Sequence, residues 1–398
     1  MSEAVNHPLD RKLRMGLVGG GGQAFIGRVH ATAAQLDNRA ELVAGALSSN
    51  PAKSRASAAS FGIADDRAYG SYQELIAGEL ARPKDERIDF VSIATPNFTH
   101  FEIAKAALQA GFHVMCDKPM TTSVQDAEEL VRVVKETGNV FALTHNYTGY
   151  PMIRQAREMV LGGEVGEIQA VRASYMQGWL CGMKVEPNPA RGGWKTDPAK
   201  AGSGSLGDVG THAFNLICYV TGETPVEVSA NLRTFHPDLE LDDYGHAMVT
   251  FGAKQLGLVT FSQITHGRLN DLTLEVDGTK ASLAWRQESP NELVVRRTGN
   301  ATQVYERQPT ASYINRSGRA ACRIPGGHPE GYFEAFANVY TAAFDDMILW
   351  ATGGTRHETT LYPNVHDGAA GVRFVGACQA SSSDRGSWKP LNEQVKGR

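Results

Sequence analysis

The stretch LRMGLVGGGGQAFIG, residues 13–27, carries the strongest structural signal in the chain. A short apolar run, 13–18, breaks into four consecutive glycines, Gly19–Gly22, and a helix-like segment begins near Phe25. This order predicts a strand, a glycine turn and a helix. Backbone without Cβ atoms can approach phosphates closely, and the N–H groups at a helix start point at an anion. The stretch therefore favours a dinucleotide site, with a flexible surface loop as the alternative.

The spacing of these glycines is irregular. Residues 19–24 fit the pattern G-x-G-x-x-A, but the more helix-like glycine, Gly27, comes three residues late. We expect Gly19–Gly22 to form the turn, residues 23–26 to bulge over the pyrophosphate, and Gly27 to begin the close-packed helix.

Residues 13–145 alternate between short apolar runs and helical patterns. Predicted strands span 13–18, 41–47, 88–94, 112–116 and 139–144, and predicted helices lie near 26–36, 51–60, 71–80, 98–110 and 123–137. Such alternation is typical of βαβ units, and hence of a doubly wound α/β domain with a parallel sheet. We place this dinucleotide-binding domain at residues 13–148.

The pattern changes near residue 150. Helices are predicted at 151–161, 206–221, 330–351 and 366–381, with an irregular stretch at 178–205 and alternating polar and apolar residues over 226–306. The alternation indicates a large, mostly antiparallel sheet. We therefore expect an α+β domain at residues 149–385 that binds the substrate.

Composition excludes several classes of protein. A chain of 398 residues with 42% hydrophobic and 21% charged residues is typical of a soluble protein of two domains. The formal net charge of −4 argues against nucleic acid as a partner. We also expect no membrane span, no secretory signal and no metal site. The five cysteines are scattered without C-x-x-C pairs, which favours reduced thiols in the cytoplasm.

Polar residues follow two of the predicted strands. Thr95-Pro96-Asn97 comes after strand 88–94, and Lys118 comes just after strand 112–116. Ligands of open α/β sheets bind beyond the carboxyl ends of strands. A partly desolvated lysine there could hydrogen-bond a substrate hydroxyl and stabilise alkoxide-like charge. The alternatives are a plain capped turn and a solvated lysine paired with Asp117.

Asp208 and His212 are four residues apart and share one face of the predicted helix. A carboxylate beside an imidazole can set its pKa and tautomer, as a proton acceptor requires. The alternatives are a structural pair, with Asp208 favoured by the helix dipole and His212 buried, and a metal site, which lacks a further ligand cluster with clear spacing.

In this order the motifs resemble those of the Gfo/Idh/MocA oxidoreductases, over about residues 13–381. The ordered set is Thr95-Pro96-Asn97 with His100, Asp117-Lys118-Pro119, Trp194-Lys195-Thr196-Asp197-Pro198 and Asp208-Val209-Gly210-Thr211-His212. The resemblance implies an N-terminal Rossmann domain, a C-terminal domain with a large open sheet, and NAD or NADP as cofactor. It also implies a sugar, cyclic polyol or related carbonyl compound as substrate, and a homodimer or homotetramer formed through the C-terminal sheet.

By resemblance, Lys118 bridges the substrate hydroxyl and the nicotinamide region, His212 accepts the proton during oxidation, and Asp208 binds or orients. Lys195 takes a place often held by arginine. The chain departs from the family pattern at the long glycine turn, at Asp117 in place of the usual glutamate, and at Asn215 in place of a common aspartate.

The predicted contacts follow from the motifs together with the resemblance. Predicted cofactor contacts are Gly19, Gly20, Gly21, Gly22, Phe25, Ile26, Ser48, Ser49, Lys53, Thr95, Pro96, Asn97, His100, Asp117, Lys118 and Asn146. Predicted substrate contacts are Tyr147, Trp179, Trp194, Lys195, Asp208, His212 and His328. Aromatic faces suit the CH surface of a ring, although each of these aromatic residues could equally belong to a core or an interface.

NADP is slightly favoured over NAD. The second strand ends in Ser48-Ser49-Asn50, without the carboxylate that favours NAD, and Lys53 and Arg55 follow. The alternative is that both cations only form the polar face of the next helix.

The predicted reaction is hydride transfer between nicotinamide and a secondary alcohol or carbonyl carbon. Two alternatives stay open. One is an NAD-dependent glycoside hydrolase with the same fold. The other is a non-catalytic cofactor sensor, for which loss of Lys118, Asp208 and His212 would be expected.

Overall fold

A computed structural model describes residues 9–22, 24–183, 194, 197–252, 254–355, 357 and 359–391. The chain forms two compact units, neither of which is continuous in sequence. The first extends to residue 121 and includes 125–149 and 332–368. The second includes 122–124, 150–331 and the residues from 369 on.

Fourteen strands and eleven helices lie in the described part of the chain. The strands are β1 (Leu13–Gly19), β2 (Ala40–Ala46), β3 (Phe90–Ala94), β4 (His113–Cys116), β5 (Phe141–Leu143), β6 (Ile168–Met176), β7 (Glu227–Arg233), β8 (Tyr244–Thr250), β9 (Leu256–Ser262), β10 (Asp271–Gly278), β11 (Ser282–Arg286), β12 (Glu292–Arg296), β13 (Gln303–Glu306) and β14 (Lys389–Pro390). The helices are α1 (Phe25–Gln35), α2 (Pro51–Ala58), α3 (Tyr72–Ala81), α4 (His100–Gln109), α5 (Val124–Thr137), α6 (Pro151–Leu161), α7 (Pro198–Ala201), α8 (Thr211–Thr221), α9 (Arg316–Ala320), α10 (Tyr332–Ala351) and α11 (Val365–Ser383).

The first unit contains a five-stranded parallel sheet in the order β2-β1-β3-β4-β5. Its strands are rich in buried apolar residues, as expected for a sheet covered on both faces. The strand order reverses direction at β1, so the carboxyl ends of β1 and β3 lie at a topological switch point. This arrangement confirms the predicted Rossmann-type domain.

Helix α10 belongs to the core of the first unit, although the sequence boundary near residue 148 places it in the second domain. Its buried side chains, among them Phe336, Tyr340 and Phe344, share a core with strand residues such as Met15 and Leu17. Their spacing of four residues gives α10 one apolar face, which packs there.

The second unit contains a nine-stranded sheet in the order β13-β12-β11-β10-β6-β9-β8-β7-β14. Of the eight neighbouring pairs, only β6 and β9 are parallel. Buried and exposed residues alternate along β8 and β9, so one face is covered and the other is open. The predicted large, mostly antiparallel open sheet is confirmed.

Within the described residues, no helix combines the length and the apolar character needed to span a membrane.

Candidate active site

In the glycine turn after β1, backbone atoms pack directly against one another. Gly19, Gly20 and Gly22 have φ angles of 84°, 72° and 64°, a region that favours glycine. A Cβ atom on Gly27 would lie 2.3 Å from the Cα of Gly20, and one on Gly20 would lie 2.4 Å from the Cα of Gly27. The end of β1 and the first turn of α1 therefore approach each other as only glycines allow.

The start of α1 differs from the expectation. The helix begins at Phe25, so the prediction that Gly27 begins it was wrong by two residues. Ala24 stands at the N-cap and makes no side-chain cap, which leaves the first-turn N–H groups without a side-chain acceptor there. Phe25 is 67% exposed and Ile26 is partly buried. Phe25 and Ile26, two of the four residues predicted to bulge, are helical instead. Gln23 lies outside the described residues, so its place in the bulge stays a prediction.

Thr95-Pro96-Asn97 follows β3, and Asn97 begins a short 3-10 turn before α4. His100 is fully buried, with Nδ1 at 2.7 Å from the carbonyl oxygen of Pro119 and Nε2 at 2.9 Å from that of Thr95. Burial lowers the pKa of His100, an effect that the charge of Asp117 and the two carbonyl contacts oppose. Both ring nitrogens face backbone carbonyl groups, so His100 connects these two loops, and its predicted contact with the cofactor stays a prediction.

Asp117 and Lys118 follow β4 at the same carboxyl edge. One oxygen of Asp117, Oδ1, accepts hydrogen bonds from the Lys118 backbone N–H (2.9 Å) and the Thr144 hydroxyl (3.0 Å). Burial alone raises the pKa of Asp117, but the interaction with His30 and the charge of Lys118 lower it to about 2. Asp117 is therefore ionised beside the partly buried Lys118 at neutral pH.

The segment after β5 is buried and polar. His145, Asn146 and Tyr147 are 2%, 2% and 4% exposed. Within the described residues, the Asn146 Nδ2 atom has no hydrogen-bond partner, which is costly unless a ligand accepts from it. Burial and the charge of Lys118 lower the pKa of His145 to about 3, so its ring is neutral.

Ser48 and Ser49 lie in the loop after β2, and Lys53 lies in the first turn of α2. Asn50 caps α2 by accepting from the Lys53 backbone N–H at 3.0 Å, and the Ser48 hydroxyl accepts from the Asn50 backbone N–H at 3.2 Å. Ser49 and Lys53 are exposed. Arg55 is paired with Glu74 at 3.0 Å.

In the second unit, Asp208 lies in a π-helical turn, Leu206–Gly210, which continues into α8. The helical span predicted from sequence is present, but its first turn is π rather than α. Asp242 anchors this turn by accepting from the backbone N–H groups of Gly204 (2.9 Å) and Leu206 (2.7 Å). π-Turns of this kind occur often at functional sites.

Gln263 orients Asp208, because its Nε2 donates to Asp208 Oδ2 at 2.7 Å and its side chain is buried. His212 is 7% exposed, and its ring centroid lies 6.0 Å from that of Tyr175. Trp179 stands in a turn in which the Leu180 N–H donates to the Gln263 carbonyl oxygen at 3.1 Å. The structure thus brings Asp208, Gln263 and the turn of Trp179 together.

Three predicted substrate contacts remain: Trp194, Lys195 and His328. Trp194 is partly buried, and Lys195 lies outside the described residues. His328 is exposed and lines a shallow cavity of about 200 Å³ with Arg307 and Asn291. Neither Asp208 nor His212 lines that cavity. The predicted contact of His328 with the substrate therefore stays a prediction.

Sequence reasoning missed several buried groups. The position of His145, just after a strand end and next to Asn146, was a usable signal. No signal in the sequence marks Gln263 or Asp242, because each is distant in sequence from the turn that it supports.

Comparison with known proteins identifies the family. Residues 13–145 match the oxidoreductase family with an NAD-binding Rossmann fold, and residues 153–284 match the GFO/IDH/MocA C-terminal domain. An uncharacterized oxidoreductase of Bacillus subtilis is 30% identical over 96% of this chain and 97% of its own. The chain belongs to the GFO/IDH/MocA oxidoreductase family.

Two relatives of this GFO/IDH/MocA protein carry informative names. The levoglucosan dehydrogenase of Pseudarthrobacter phenanthrenivorans is 29% identical over 72% of this chain and 76% of its own. The structure of an inositol dehydrogenase homolog from Azotobacter vinelandii, complexed with NADH and myo-inositol, matches with a TM-score of 0.87. It is 34% identical and covers 96% of this chain and 98% of its own.

The first unit fits the cofactor of this NAD-binding family. The glycine turn admits close approach of phosphates, and α1 presents N–H groups that Ala24 cannot cap. The buried Asn146 amide offers a donor to a ligand group.

Proposed function

We propose that this protein is an NAD(P)-dependent dehydrogenase or reductase acting on CH–OH groups. It transfers a hydride between nicotinamide and a secondary alcohol or carbonyl carbon of a sugar, cyclic polyol or related small molecule. The observation that carries the proposal is the place of Lys118, beside the ionised Asp117 at the carboxyl edge that also bears the glycine turn. The substrate class is supported by the two relatives, one complexed with myo-inositol and the other named for levoglucosan.

The roles of the protein groups follow from their chemistry. In the oxidation direction, the Lys118 ammonium donates a hydrogen bond to the reacting oxygen and stabilises its developing negative charge. His212 takes the hydroxyl proton. Asp208, held by Gln263, binds or orients the substrate. A bound nicotinamide cofactor would supply the hydride acceptor for this reaction. Positioning of these groups should supply much of the rate enhancement.

The test is turnover by the purified protein. Cyclic polyols, aldoses and anhydrosugars are supplied one by one with NAD⁺ or NADP⁺, and the absorbance of reduced nicotinamide is followed. Net reduction with at least one of these alcohols is expected. Glycoside cleavage without net reduction would instead support the hydrolase, and cofactor binding without any turnover would support the sensor.

We infer that the cofactor is NAD or NADP, with NADP slightly favoured by Ser48, Ser49 and Lys53. Arg55 is already paired with Glu74, so we assign Lys53 to a 2′-phosphate. Dissociation constants for NADPH and NADH are the test. Ser48→Asp places a carboxylate at the end of β2, which should shift the preference toward NADH. Clearly tighter binding of NADH by the wild type would contradict the NADP preference.

We further propose a homodimer or homotetramer formed through the open sheet. Met248, Leu256 and Leu258 are 50%, 59% and 36% exposed on adjacent strands, with Met248 directly opposite Leu258. Contiguous exposed apolar residues mark interaction surfaces. Sedimentation of Leu258→Arg should show smaller particles than the wild type, whereas the control Leu80→Arg on α3 should not. Five free cysteines support the reducing cytoplasm as the location.

A further inference from the structure

The first unit encloses a polar cluster that none of the roles above uses. His30 on α1, Ser92 on β3 and Tyr340 on α10 are each 0% exposed. The Nδ1 atom of His30 lies 2.7 Å from the Tyr340 hydroxyl and 3.0 Å from the Ser92 hydroxyl, and the two hydroxyls are 2.8 Å apart. Buried polar groups are costly unless they satisfy one another, and this triangle does so.

The other edge of the His30 ring faces Asp117. His30 Nε2 lies 3.9 Å from Asp117 Oδ1, and it makes no hydrogen bond within the described residues. The hydroxyls of Ser92 and Tyr340 can donate to Nδ1, whereas a carboxylate only accepts. A lone pair on Nε2 would face the negative charge of Asp117, so we expect the neutral ring to carry its proton on Nε2.

His30 Nε2 faces the same oxygen of Asp117, Oδ1, that accepts a hydrogen bond from the backbone of Lys118. Asp117 Oδ1 accepts from the Lys118 N–H at 2.9 Å and from the Thr144 hydroxyl at 3.0 Å. The imidazole of His30 therefore acts on the same oxygen from a third side. A change in the orientation of this carboxylate would therefore move the backbone N–H group of Lys118.

We propose that His30, Ser92 and Tyr340 form a positioning network for catalysis. The triangle fixes the His30 ring, and Nε2–H of that ring, 3.9 Å from Oδ1, stabilises the charge and orientation of the Asp117 carboxylate and so the Lys118 backbone. The inference rests on the proposed function, because it acts through Lys118. Helix α10 also contacts this ring without hydrogen bonds. The His30 ring already packs edge-on against Phe336, with 5.1 Å between ring centroids.

Two substitutions of His30 separate positioning from packing. The amide of Gln reaches toward the position of Nε2 and can donate to Asp117, whereas the amide of Asn reaches only the position of Nδ1, beside the two hydroxyls. His30→Asn is expected to lower kcat by about ten- to a hundredfold, the effect of misplacing a reacting group. KM and NADH affinity should be unchanged. His30→Gln is expected to retain most of the wild-type kcat.

Tyr340→Phe is the second variant, and it tests the positioning role of the network if His30→Asn fails to fold. It keeps the ring and leaves Ser92 paired with His30. Losing one anchor of the imidazole should lower kcat by about tenfold, again with NADH affinity unchanged.

The protonated nitrogen of the His30 ring can be determined directly, without measuring turnover. Nitrogen NMR of the histidine-labelled protein, with His30→Gln used to identify the His30 signals, should show the proton on Nε2. A proton on Nδ1 alone would overturn the inference.

Kinetics of the wild type come first. If the wild type turns over no alcohol, the proposed function fails, and the inference fails with it. If the wild type is active and His30→Asn and Tyr340→Phe keep full kcat, the network has no positioning role and the proposed function stands. Equal losses in His30→Asn and His30→Gln would also overturn the inference, since packing alone would explain them.

Discussion

Gly27→Ala is expected to weaken both folding and NADH binding through a single steric contact. The added Cβ would lie 2.3 Å from the Cα of Gly20 and 2.4 Å from its carbonyl oxygen. Carbon atoms pack at about 3.5 Å or more, so α1 must move away from β1 by about 1 Å. Both opposing atoms are backbone, so no side-chain rotation relieves the contact. Overpacking of this kind costs about 1–3 kcal/mol.

The same shift moves the first-turn N–H groups of α1 away from the pyrophosphate. If the cost falls mainly on the bound state, the Kd for NADH rises by about 5- to 150-fold. Fluorescence titration with NADH measures this, and urea unfolding measures the loss of stability.

Gly371→Ala in α11 is the matched control, because its Cβ would meet no atom within 4 Å. Alanine is the better helix former by up to about 1 kcal/mol, so this variant should be at least as stable as the wild type and bind NADH equally well. Wild-type affinity and stability in Gly27→Ala would refute the proposed packing of β1 against α1.

Three further predictions follow from the candidate site. Lys118→Met should lower kcat by about a hundredfold or more while NADH affinity stays unchanged, and steady-state turnover close to wild type would exclude its assigned role. Gln263→Leu removes the 2.7 Å hydrogen bond to Asp208 and should lower kcat/KM by about tenfold or more, whereas equal kcat/KM in both proteins would rule out its orienting role. The pKa of His145 falls from 6.5 to about 3 on folding. Between these two pH values the unfolded chain binds a proton at His145, whereas the folded protein does not. Stability is therefore lost as the pH falls below about 6.5, at up to about 1.4 kcal/mol per pH unit. Between pH 6.5 and pH 5, urea unfolding of the wild type should lose about 2 kcal/mol more than that of His145→Gln, and parallel pH dependence in the two proteins would contradict a buried neutral His145.

The elements of the first sheet were predictable because their signals are local. Each strand from β1 to β5 is a short apolar run followed by turn residues, and parallel strands bring their carboxyl ends to one edge. Thr95, Asp117 and Asn146 could therefore be placed near the glycine turn from sequence alone. The predicted start of α1 failed by two residues because helix boundaries depend on local backbone geometry that the glycine spacing does not encode.

Other features depend on contacts between residues far apart in the chain. Tyr340 meets His30 across 310 positions, and Gln263 meets Asp208 across 55. Neither pairing has a periodicity or a motif that marks it. The π-helical turn at Leu206–Gly210 is likewise supported by Asp242, a residue of another segment.

By itself, the sequence determined the fold class, the family motifs and the residue types available for chemistry, because periodicity, glycines and strand-end residues act over a few positions. Tertiary structure decided which unit α10 joins, which atom of Asp117 is shared, and which buried groups hold Asp208 and Lys118. Those outcomes depend on apolar faces and unsatisfied polar atoms that find partners only when distant segments pack together.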